Sequence, residues 1–173
     1  MKLGDVASGE CLRTLEGRSS AVDSVAFDAS GGTLASGSDD QTVKLWDVAS
    51  GECLRTLEGH SSAVDSVAFD ASGGTLASGS GDQTVKLWDV ASGECLRTLE
   101  GHSSAVHAVA VDANGGTLAS GSYDQKVKLW DGASGECWRS WGGDRCDVEM
   151  VAGAKRGVRQ VAGQRCACVA HWG

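Results

Sequence analysis

With 173 residues and 41% hydrophobic content the chain can bury a core, and that balance excludes wholesale disorder. Its formal net charge of −8 argues against binding a phosphate backbone, which calls for clustered lysine and arginine. No apolar run approaches a membrane helix, and the opening MKLGDVASGE lacks the apolar core of a signal peptide, so neither nucleic acid nor membrane is an expected partner.

The first predicted element is a remnant. Residues 1–5, MKLGD, align in phase with a VKLWD that recurs downstream, Gly4 standing in the place of the tryptophan. Residues 1–16 therefore read as the end of a preceding unit, with 5–16 as its lone outer strand. Three units of 42 residues follow, at 17–58, 59–100 and 101–142. The first two differ at two positions, Arg18 against His60 and Asp39 against Gly81; the third differs from the second at eleven.

Within a unit, SAVDSVAF (20–27) stops at DASGG, and TLASGS (33–38) stops at the turn DDQ. TVKLWD (42–47) then stops at VASG and is followed by ECLRTLE (52–58). The chain has 25 glycines and no proline, so glycine, serine and aspartate must shape these turns. No apolar run holds helical spacing without meeting a glycine, which leaves four short antiparallel strands per unit. Such units in tandem predict an all-β fold of propeller blades, with SAVDSVAF innermost and the more polar ECLRTLE at the outer edge. Four of the seven cysteines (Cys11, Cys53, Cys95, Cys137) recur once per unit, too far apart to pair, so a reducing, cytoplasmic compartment is expected.

Residues 143–173 carry a net charge of +2 against −10 for the rest. Eight of their 31 positions match residues 17–47 in phase, as a decayed fourth unit would; the alternative is an unstructured tail that matches by chance. Cys146, Cys166, Cys168 and His171 offer the soft ligands that zinc uses. Without a paired C-x-x-C they read as thiols left by drift, and no metal or cofactor is expected.

Gly59–His60 opens a unit, Asp82 precedes the third strand and Trp88–Asp89 closes it. In this spacing, residues 17–142 resemble WD repeats. The resemblance implies a closed ring of four-stranded blades and a buried hydrogen-bond chain in each. By position the chains are His60–Ser78–Asp82–Trp88 and His102–Ser120–Asp124–Trp130. Arg18 replaces the histidine in the first unit, where the chain is expected to be broken. The same residue types occur in serine hydrolases, but nothing in the repeat marks an oxyanion hole, so no enzyme activity is expected. If the tail folds, it supplies three inner strands and residues 5–16 the missing outer one, and the resulting four blades are fewer than the family normally needs. Two chains sharing a ring, a longer parent protein or a strained monomer would each resolve that.

The near-identical units disagree at two further places: Asp23, Asp65 and His107 at the start of the innermost strand, and Asp39, Gly81 and Tyr123 before the turn aspartate. The resemblance implies that both sets rim the central channel and contact partners. Tyrosine is enriched in binding surfaces, and Asp23, Asp39 and Asp65 favour a basic segment. The expected function is a non-catalytic scaffold or sensor that binds a protein or peptide. The alternative is a fragment of a longer array with no partner of its own.

Overall fold

Aspartate and glycine set the strand ends. Asp28 accepts hydrogen bonds from the Thr33 amide (2.9 Å) and the Ser30 hydroxyl (2.6 Å), which closes the turn between the first two strands of a unit. Asp47 accepts from the Ser50 amide at 2.6 Å, and Gly51 at φ 79° completes the turn into the fourth strand. Both devices recur in the second unit, at Asp70 and Asp89.

The computed structural model describes residues 1–142. The decayed fourth unit expected within 143–173, and Cys146, Cys166, Cys168 and His171, lie outside the described residues. Fourteen strands are present among the described residues, all in antiparallel sheets. β1 (Lys2–Gly4) and β2 (Cys11–Thr14) form a two-stranded hairpin. Blade 1 is β3 (Val22–Phe27), β4 (Thr33–Ser38), β5 (Val43–Asp47) and β6 (Cys53–Leu57). Blade 2 is β7 (Val64–Phe69), β8 (Thr75–Ser80), β9 (Val85–Asp89) and β10 (Cys95–Leu99). Blade 3 is β11 (Val106–Val111), β12 (Thr117–Ser122), β13 (Lys126–Asp131) and β14 (Cys137–Gly142). Strands pair in chain order within each blade.

The core lies between blades. Ala35, Val43, Leu45 and Leu57 of blade 1 pack against Val64, Val67, Leu76 and Trp88 of blade 2. Their counterparts Ala77, Val85, Leu87 and Leu99 pack against Val106, Leu118 and Trp130 of blade 3. Continuous apolar burial of this kind is what holds stacked repeats together.

Two rows of hydrogen bonds reinforce each junction between blades, and the outer row extends to the hairpin. On the inner strands, the Val67 amide donates to Ser24 Oγ and the Val109 amide to Ser66 Oγ, both at 3.1 Å. On the outer strands an arginine reaches the next turn: Arg13 donates to the Ser50 carbonyl, Arg55 to that of Ala91, and Arg97 to those of Ala133 and Ser134. These arginine clasps have no signature in the sequence beyond the repeat itself.

The segment expected as a lone outer strand has a partner. β2 pairs with β1, and the Leu15 amide donates to the Met1 carbonyl at 2.8 Å. Leu15, with Met1 and Leu3 beside it, packs on Leu34 and Trp46 of blade 1.

Candidate partner-binding rim

The polar chain inside each blade supports the rim. In blade 2 the Trp88 indole N–H donates to Ser78 Oγ (2.8 Å), and the Ser78 hydroxyl donates to His60 Nε2 (2.8 Å). His60 Nδ1–H then donates to Asp82 Oδ2 (2.7 Å). The direction follows from the end member, since a carboxylate can only accept. Asp82 Oδ1 accepts from the Thr84 hydroxyl (2.7 Å) and amide (2.9 Å). Burial opposes the Asp82 charge, but the hydrogen bonds from Thr84, His60 and Ser61 override it and draw its pKa to about 2. Burial lowers the His60 pKa, with Asp82 opposing, which keeps the ring neutral.

Blade 3 repeats the arrangement in His102, Ser120, Asp124 and Trp130, at 2.7–2.8 Å throughout. Ser80 stands outside the chain, its hydroxyl donating to the Ser62 carbonyl. Ser78 is fully buried, with its proton committed to His60, so it presents no nucleophile to a solvent-borne substrate.

Blade 1 departs from expectation. Arg18 does not break its chain but replaces the histidine with a longer, charged connection. Its Nη1 bonds Asp40 Oδ1 at 2.8 Å and Thr42 Oγ1 at 2.6 Å, and its Nη2 bonds Ser36 Oγ at 2.7 Å. The Trp46 indole still donates to Ser36 Oγ at 2.8 Å. A guanidinium reaches every group that an imidazole would, because it carries five donors on a longer stem.

This framework fixes the two variable positions. The amides of Asp39, Gly81 and Tyr123 donate to the carbonyls of Ala21, Ala63 and Ala105, at 3.1, 2.9 and 3.0 Å. The backbone is thus tied down identically in all three blades while the side chain is left to vary. At Gly81 an added Cβ would meet Ser62 Oγ, the movable end of a half-buried serine, so the site accepts larger residues. Tyr123 is 74% exposed.

The second set sits at a bulge. Pairing slips between Val22 and Ser24, between Val64 and Ser66, and between Val106 and Ala108. The residue at each slip is Asp23, Asp65 or His107, and a bulge re-aims the side chain it carries. The two sets thereby meet. In blade 3 the His107 and Tyr123 rings lie edge to face with centroids 3.6 Å apart. In blade 1, burial and the charges of Asp39 and Asp65 raise the Asp23 pKa. Burial also raises that of Asp65, with His107 opposing and Asp39 adding to it. Asp39, Asp23, Asp65, His107 and Tyr123 therefore form one row across three blades, acidic at one end and aromatic at the other.

The family model for the WD domain, G-beta repeat, matches residues 9–47, 51–89 and 93–131. Each matched segment begins at an outer strand and runs through the first three strands of the next blade. The structure is similar to a solved structure of U3-55K, with a TM-score of 0.73 and 28% identity over 76% of this chain. This chain spans 42% of the length of that one. No curated protein matches it.

Proposed function

Because the chain belongs to the WD-repeat family, we propose that it is a non-catalytic interaction module holding a protein or peptide on the rim built from Asp23, Asp39, Asp65, Gly81, His107 and Tyr123. The observation that carries the reading is the tied backbone beneath the variable side chain in all three blades. A position that is held rigidly and free to differ is suited to recognition, because its contacts are pre-organised. The partner segment is basic: three carboxylates lie together, and two of them have pKa values raised in part by their neighbours' charges. A lysine or arginine set among them would relieve that repulsion. Tyr123 and His107 provide the apolar anchor beside it. The exposed, unpaired Cys11, Cys53 and Cys95 support a reducing compartment such as the cytoplasm.

A panel of synthetic lysine- and arginine-rich peptides, measured by fluorescence anisotropy, tests the reading. Binding should weaken as salt rises, and about tenfold or more in Tyr123→Ala or in Asp39→Ala/Asp65→Ala, with melting temperature unchanged. Equal affinity across wild type and variants would place recognition elsewhere.

A further inference from the structure

The two internal junctions use one pair of complementary faces twice, and the described residues leave one copy of each face uncovered. On blade 3, Val127 is 46% exposed, whereas its counterparts Val43 and Val85 are fully buried. On blade 1, Val25 is 52% exposed, whereas Val67 is 6% exposed. The fit between the faces has a knob and a slot. An added Cβ at Gly37 would meet the Val64 carbonyl at 2.6 Å, and one at Gly79 would meet Val106 Cγ1 at 2.9 Å. At Gly121, the equivalent slot, it would meet only Ala108 of the same blade, at 3.5 Å. Val22, the equivalent knob, is half-buried while Val64 and Val106 are fully buried.

The β1–β2 hairpin fills the place before blade 1 only in part. Beneath it an open cleft of 550 Å³ runs along Leu3, Leu12, Val25, Phe27 and Leu34. All four residues of β2 are exposed, and Gly4 stands where the other blades bury a tryptophan. An isolated two-stranded hairpin is marginal in water, and a four-stranded blade covers more apolar surface.

We propose that the chain associates with a second copy of itself head to tail, blade 3 of one copy displacing the hairpin of the next and seating on its blade 1. Val22 enters the slot over Gly121, and Val25 and Val127 cover each other's faces as their counterparts do inside the chain. Arg139, which rests against Trp138 and Trp141, takes over the Ser50 carbonyl from Arg13. One bond is lost, because Ala108 lacks the hydroxyl that Ser24 and Ser66 offer to the amide of the next blade. The junction between copies is therefore weaker than the internal ones, and reversible. Such a contact is heterologous, so two copies close a ring or further copies extend the assembly.

Size-exclusion chromatography with light scattering on the full chain provides the test. Two chains or more, rising with concentration, is the expected mass; one chain at roughly 100 µM would overturn the proposal. Val25→Asp blocks the blade 1 face at an already exposed position. Gly121→Gln fills the slot where space is open. Each variant alone should run as a single chain. An equimolar mixture should give a dimer and nothing larger, since one intact face of each kind remains. A mixture that stays monomeric, or single variants that associate like wild type, would rule the junction out. Leu3→Asp loosens the hairpin and should raise the associated fraction, and a fall would count against displacement. Tyr123→Ala should not change the mass, which separates this junction from the rim.

Discussion

Arg18 and His60 occupy the same place and answer acid differently. Asp40 and Asp82 both have pKa values drawn to about 2, against 3.8 ordinarily, so each stabilises the fold above that ordinary value. That stability is lost as pH falls through about 2. The histidines titrate earlier. His60 and His102 have pKa values lowered by burial from 6.5, so the unfolded chain gains a proton first, and stability declines as pH falls below 6.5 towards the folded values. Arg18 adds nothing to that decline. Arg18→His should therefore fold at pH 7.5 but lose more melting temperature than wild type between pH 7.5 and 5.5. Arg18→Ala strands Asp40 without its cation and should cost about 3–5 kcal/mol in urea unfolding. The histidine chains could be anticipated from spacing, because each member is a short side chain fixed by its strand. The arginine substitution could not, because its effect depends on reach rather than position.

At the level of the strand, turn residues bounded the elements well: SAVDSVAF, TLASGS and TVKLWD became β3, β4 and β5 with ends shifted by at most two residues. The bulges at Asp23, Asp65 and His107 left no such trace, since an apolar–polar run reads the same with or without one extra residue. The close approach of successive blades was equally hidden. Gly37 and Gly121 are the same letter in the same motif, yet only Gly37 lies under a neighbouring backbone carbonyl. Gly37→Ala should accordingly destabilise the protein by about 1–3 kcal/mol, while Gly121→Ala, at a concentration low enough to keep chains single, should fall within about 0.5 kcal/mol of wild type. Denaturant titration of the two variants side by side would check this.

Across the whole molecule, burial is deepest in the middle. Blade 2 is covered on both faces, blade 1 partly by the hairpin, and blade 3 on one face among the described residues. Stability in a stacked array is roughly a sum of neighbour terms, so amides in β7–β9 should exchange most slowly with deuterium and those in β1–β2 fastest. Uniform protection from Val22 to Leu99 would contradict that additive picture. The 42-residue period made the blades legible; how far the hairpin reaches over blade 1 depends on side-chain packing that the period does not encode.

The paired rows of hydrogen bonds at each junction also have a mechanical meaning. A blade fastened only near the axis or only near the circumference could swing about that point, whereas one fastened at both cannot. Serine supplies the inner fastening at residues 24 and 66, and arginine the outer one at 13, 55 and 97. Among the described residues the hairpin before blade 1 has the outer fastening alone, so it is hinged where the three blades are braced.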